Sequence, residues 1–202
     1  MASTYTPLGV EKMATGENAG TWGTKTNTNL ELIEQISGGY KVQTLNGGGS
    51  GANTTTLSKS DGATGATVAT RVIILGAVSP QAITGNKIVT LPVLTENFYL
   101  IKNSTSGSYT VQIKAASGSG ATVTWATTDK DWKIIYFDGV ATNTGVYDTG
   151  FGSDTSPGGS TTQIQYNNSG AFAGDANLIW TAGTALTIGS QKELRLADTT
   201  GG

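Results

Sequence analysis

The segment Tyr109-Thr-Val-Gln-Ile-Lys-Ala115 alternates without a break. Tyr109, Val111, Ile113 and Ala115 fall on one side of an extended backbone, and Thr110, Gln112 and Lys114 on the other. That is the pattern of a half-buried strand in an antiparallel sheet. Strand-like runs recur at residues 40–45, 68–75, 87–91, 98–103, 121–125, 132–138 and 146–149. Turn formers separate them: Thr84-Gly-Asn, Asn103-Ser-Thr-Ser-Gly, Ser117-Gly-Ser-Gly and Asp138-Gly;. Short strands in series, with no helix between them, predict an antiparallel β-sandwich or jelly-roll-like domain over residues 40–150. The stretch 46–67 holds no aromatic residue and reads as a long exposed loop or an edge excursion;. Composition agrees, since 34 Thr and 29 Gly favour short strands and tight turns over helices;.

One helical period interrupts the β pattern. Thr24, Thr26 and Asn27 offer caps before Leu30-Glu-Leu-Ile-Glu-Gln-Ile36, and Gly38-Gly39 supply a stop;. At about 100° per residue, Leu30, Leu32, Ile33 and Ile36 spread over roughly 160° as a broad apolar face. Three turns of helix are marginal alone in water, so this face must dock on something. Before it, Gly16-Glu-Asn-Ala-Gly-Thr-Trp22-Gly23 reads as an ordered loop anchored by Trp22.

The C-terminal texture differs again. Residues 151–161 form a linker by composition, with Ser153-Asp-Thr-Ser-Pro-Gly-Gly-Ser160 at its centre;. Very short strand candidates follow at residues 163–166, 178–180, 185–188 and 193–196. So few apolar residues per strand cannot close a core within one chain. Three such segments wound about a common axis could. The reading is therefore of an N-terminal segment over 1–39, a β domain over 40–150, the linker, and a shaft-like region over 162–202.

Catalytic and metal chemistry finds little to stand on. The chain has no His and no Cys, which removes Ser-His-Asp triads, thiol nucleophiles, disulfides and the usual zinc sites;. Ser58-Lys59 lies in a polar stretch rather than in a rigid site;. Asp129-Lys-Asp131 reads as a turn entering the next strand, and two carboxylates alone make a weak metal site. Asn46-Gly-Gly-Gly-Ser-Gly51 lacks the Lys-Ser/Thr and the helix of a phosphate loop. No enzyme, cofactor or metal is expected. A net charge of −2, with 12 scattered basic residues, offers no nucleic-acid face and no polybasic membrane patch;. No apolar run approaches membrane-spanning length and the N-terminus has no signal-peptide pattern, so release by lysis rather than secretion is expected;. Trp22, Trp125, Trp132 and Trp180 could stack on sugar rings. Trp132 reads as core, and packing or subunit contact is the preferred reading for Trp125 and Trp180.

The run Glu17-Asn-Ala-Gly-Thr-Trp-Gly-Thr-Lys-Thr-Asn-Thr-Asn-Leu-Glu-Leu-Ile-Glu34 resembles the N-terminal segment of phage virion proteins, especially tail-fibre-like proteins of marine phages. There an N-x-W-G-x-x-x-N-x-N pattern leads into a short helix. Phe98-Tyr-Leu-Ile-Lys-Asn103 and Ile135-Tyr-Phe-Asp-Gly139 resemble the β domain that follows it. Thr162-Gln-Ile-Gln-Tyr-Asn-Asn-Ser-Gly-Ala-Phe-Ala-Gly174 and Leu186-Thr-Ile-Gly189 are similar to fibre-shaft repeats. The resemblance implies a homotrimeric fibre on the virion, assembled in the bacterial cytoplasm. Trp22, Leu30, Leu32, Ile33 and Ile36 would dock on other virion proteins such as tail tube, adaptor or nozzle, or on a second copy. Ile164, Tyr166, Phe172, Leu178, Trp180, Leu186 and Ile188 would form the trimer contacts of the shaft. A host surface glycan, met through the distal region, is the further implied partner. Such fibres usually continue into a receptor-binding tip, so the chain is expected to be either the proximal piece of a longer fibre or an adaptor that hands on to another protein; attachment to the capsid stays open beside the tail.

Overall fold

The computed structural model describes residues 2–46, 53–151, 158–169, 171–183 and 185–189 of the 202. Among the described residues the fold is mainly β, with one α-helix. It divides into two compact units, Met1–Gly152 and Ser153–Gly202. The segment over 1–39 and the β strands up to residue 148 thus belong to one unit.

In the first unit a two-stranded hairpin, β1 (Thr4–Tyr5) with β2 (Glu11–Lys12), precedes helix α1 (Trp22–Gly38). Nine strands follow: β3 (Tyr40–Gln43), β4 (Asn53–Thr56), β5 (Val72–Ala82), β6 (Lys87–Leu91), β7 (Glu96–Ser106), β8 (Val111–Ala115), β9 (Val123–Trp125), β10 (Trp132–Asp138) and β11 (Val146–Asp148). They build a five-stranded sheet in the order β11-β10-β7-β5-β3 and a four-stranded sheet in the order β4-β6-β8-β9. From β3 to β8 the chain changes sheet at every strand, so each of β4, β5, β6 and β7 is the crossover that joins two parallel neighbours in the opposite sheet.

That winding corrects the expectation of an antiparallel domain. β3 and β5, β5 and β7, β4 and β6, and β6 and β8 all pair parallel; β9, β10 and β11 add antiparallel. Alternation reports which side each residue faces and is blind to strand direction. The polar side of β8 survives in a parallel neighbourhood because no helix covers it: Gln112 and Lys114 stay half-exposed while Val111 and Ile113 are buried.

Asn53–Thr56 corrects the exposed-loop reading of 46–67 for its described part. β4 is an edge strand paired with β6, Thr55 and Leu57 are buried, and a 3-10 turn spans Thr67–Ala69. Three successive Thr carry strand propensity without an apolar alternation to reveal it. Residues 47–51 of the glycine-rich run lie outside the described residues.

The two sheets share one cluster of buried side chains. Ile73, Leu75, Tyr99, Ile101, Ile135 and Phe137 come from one; Val89, Leu91, Val111, Ile113, Val123 and Trp125 from the other. Tyr99 and Phe137 meet edge-to-face at 5.8 Å, and the Tyr99 hydroxyl donates to the Val68 carbonyl at 2.9 Å. Gly76 is a position that a side chain could not occupy: its φ is 108°, and an added Cβ would lie 2.2 Å from the Ser104 carbonyl oxygen. There β5 breaks register with β7 and resumes at Gln81.

The second unit is a three-stranded antiparallel meander, β12 (Gln163–Asn168), β13 (Ala171–Thr181) and β14 (Ala185–Ile188). Residues 193–196, read as a further strand, and most of the linker 153–160 lie outside the described residues.

Candidate functional site

The helix begins earlier than its apolar period announces. The backbone amides of Thr21 and Trp22 both donate to the Asn18 carbonyl, and Asn18 itself takes a left-handed φ of 64°, which Asn tolerates;. The polar run from Thr24 to Asn29 is therefore helical, although none of its residues belongs to an apolar stripe. Trp22 does not anchor the preceding loop: it is the first helical residue and is 63% exposed.

What holds the segment is polar. Asn29 Oδ1 accepts the Glu11 amide and Asn29 Nδ2 donates to the Glu11 carbonyl, both at 2.9 Å, so one side chain binds β2 as a neighbouring strand would. The buried Glu11 carboxylate pairs with Lys25 at 3.0 Å and accepts from Asn18 Nδ2. Lys25 and Asn29, four residues apart on one helix face, and Asn18 thus converge on Glu11. The polar residues Asn18, Lys25 and Asn29 have a structural task here: they clamp the N-terminal hairpin to α1.

The Lys25 ammonium, aided by the Asn18 amide, holds the Glu11 carboxyl below its ordinary value of 4.5, and Glu11 in turn raises Lys25 above 10.5. A lowered carboxyl contributes stability above its ordinary range and loses it as pH falls through the folded value. A raised amine contributes below its ordinary range and loses it as pH climbs through the folded value. The clamp is expected to open at both extremes. Relative to its intrinsic rate at the same pH, hydrogen exchange at the Glu11 amide should accelerate in acid below the ordinary carboxylate range. Asn29→Ala should give that acceleration at neutral pH, at a local cost of about 1–3 kcal/mol for the unpaired backbone groups.

The helix divides its four apolar residues between two tasks. Leu32 is fully buried in a small cluster with Ala66 and Ala69, and Ile36 packs partly against it. Gln35 fixes that docking by donating to the carbonyls of Ala66 and Ala69 and accepting from the Gly65 amide. Leu30 and Ile33 remain 60% and 51% exposed. With Trp22 they form a stripe about 80° wide on the helix surface.

A second apolar surface was invisible as such in the sequence. On the five-stranded sheet, the side away from the shared core carries Phe98 and Tyr136 as direct cross-strand partners, and Tyr136 pairs again with Tyr147. Trp132 and Ile134 lie on the same side of β10, by alternation with the buried Ile135 and Phe137;. Phe98, Trp132, Tyr136 and Tyr147 are all exposed. Arg71 lies over the Phe98 ring at 3.9 Å and Lys102 over Trp132 at 5.8 Å. Trp132 thus sits outside the core it was assigned to, because the unbroken apolar run Ile134-Ile-Tyr-Phe137 supplies both faces of β10. Trp125, by contrast, is wholly buried.

The third surface is in the second unit, where no described residue is buried. Leu178 pairs with Ile188 and Trp180 with Leu186. Gln163 opposes Ile179, which places Ile164 and Tyr166 on the same side as Leu178 and Trp180;. Those six residues share one face. Phe172 opposes Asn167 and belongs to the other face, with Gln163 and Gln165.

The polar candidates are occupied internally. Ser58 Oγ accepts the Thr67 amide, while Lys59 pairs with Asp61. Asp129 pairs with Lys133, and no group of three or more acidic, His or Cys side chains among the described residues could hold a metal. Among the described residues no helix is long and apolar enough to cross a membrane. Compared with protein-family models, with curated proteins and with solved structures, the chain matches none.

Proposed function

We propose that the protein is a structural component of a phage virion, the proximal part of a tail fibre, which works as a homotrimer and supports host adsorption. The observation that carries this reading is the second unit. Six apolar side chains gather on one face of a three-stranded sheet that buries none of them. An isolated small sheet with an uncovered apolar face is marginal in water; three copies facing a common axis cover it. The first unit, in this reading, is a β-sandwich-like domain, and the second begins a β shaft. The N-terminal segment with its clamp forms the end that meets the virion, through a tail-tube, adaptor or nozzle protein. The work is mechanical, and no catalytic step is assigned.

Light scattering on the full chain at micromolar concentration is the test. Three times the chain mass of 20.6 kDa is expected; a monomer would remove the reading. Localisation by density in intact particles then separates a tail fibre from a capsid-attached fibre or an adaptor.

A further inference from the structure

Strands β5, β7 and β10 carry apolar residues on both sides: Ile73 against Val72 and Ile74, Tyr99 against Phe98 and Leu100, Ile135 against Ile134 and Tyr136. Strands written this way occur where both faces are covered. The four-stranded sheet covers one face here. The other is exposed across β7, β10 and β11, with Phe98 at 49%, Trp132 at 40% and Tyr147 at 47%, while on β5 Val72 is half-buried and Ile74 buried.

We infer that this outer sheet face of one copy receives the helix stripe Trp22, Leu30 and Ile33 of the next copy, in a head-to-tail contact that closes around the three-fold axis. The inference rests on the trimer proposed above. Away from the three-fold axis, neighbouring copies in a closed trimer meet through two different surfaces of the same chain. The helix stripe and the sheet face are two such surfaces within one unit.

Their dimensions and charges agree. From Trp22 to Ile33 the stripe is about 16 Å long at 1.5 Å per residue. Across β7, β10 and β11 the exposed face is about 10 Å wide, at roughly 4.8 Å per strand, close to the width of a helix. Glu34 flanks the stripe about 40° beyond Leu30, with Glu31 further round. The sheet face presents the cations Arg71 and Lys102 over its rings. Its carboxylates are Glu96, at the start of β7, and Asp138 opposite it. Asp138 is already engaged by the Val140 and Gly145 amides. The acidic edge of the helix therefore meets the basic part of the sheet. The shaft supplies the association; tethering then gives this contact a high effective concentration, so it need not hold alone.

The absence of Cys makes a direct test available. The full chain carrying Ile33→Cys and Tyr136→Cys is treated with a short bis-maleimide. Covalent dimers and trimers are expected on a denaturing gel, while each single-Cys chain gives none. Adding Leu30→Asp should abolish the cross-link and leave the solution mass trimeric. Cross-linking by either single-Cys chain would overturn the inference in favour of like faces meeting. A double-Cys chain that links only within itself, or a trimer without any link, also overturns it and leaves the face to a glycan or another virion protein. A monomeric mass removes the trimer reading itself, so the two failures are distinguishable.

Discussion

Trp180→Asp is expected to reduce the full chain from trimer to monomer at micromolar concentration, with the first unit still folded. Trp180 faces Leu186 across the β13–β14 pair and lies beside Leu178 and Ile188, yet it is 53% exposed within its own chain. A large apolar side chain gains about 1.5–3 kcal/mol on full burial, and the trimer loses that gain three times over. An uncompensated carboxylate in an apolar seam adds several kcal/mol per copy. Phe172→Asp is the control. Phe172 is as exposed as Trp180 but lies on the opposite, Gln-rich face, so its replacement should leave the mass trimeric. A trimer that survives Trp180→Asp, or one lost equally through Phe172→Asp, would show that this face is not the seam. Light scattering reads both variants.

Trp125→Ala is expected to destabilise the first unit by about 3–5 kcal/mol, through the cavity left by a fully buried indole. The ring stands opposite Val111 in the β8–β9 pair, within the core cluster that both sheets share. Its Nε1 donates to the Asp131 carbonyl at 3.1 Å, and that acceptor would be left unpaired. For a unit of this size the loss corresponds to a fall in melting temperature on the order of 10 °C, followed by near-UV circular dichroism. Trp132→Ala, at the exposed outer face, should cost far less in the same measurement. An equal loss at both positions would contradict the assignment of Trp125 to the core and Trp132 to the outer face. It follows that Trp125 is no platform for a sugar ring, whereas Trp132 is accessible.

The strands that could be read from the residues were those whose apolar, β-branched or aromatic runs are bounded by turn formers. Lys87–Leu91 and Trp132–Asp138 have the bounds that their patterns indicated, because burial on at least one side is written residue by residue. The helix stop at Gly38 was legible for the same reason, and its start was not. Trp22 opens the helix through a backbone bond to Asn18 and a polar run that no apolar period marks. Likewise Asn18, Lys25 and Asn29 were visible as a motif, while their common partner, Glu11, lies outside it.

By itself the sequence determined that the chain is mainly β and that one short helix must dock. It also set which residues of the second unit are apolar, and it removed His and Cys chemistry entirely. Only the tertiary structure decided that the strands wind in parallel between two sheets. It alone decided that Leu32 is buried while Leu30 is exposed, and that an aromatic sheet face stands uncovered. The physical reason is common to all three. Periodicity fixes the direction in which a side chain leaves the backbone, but burial depends on what the rest of the chain brings to that side, and a local pattern carries no record of it.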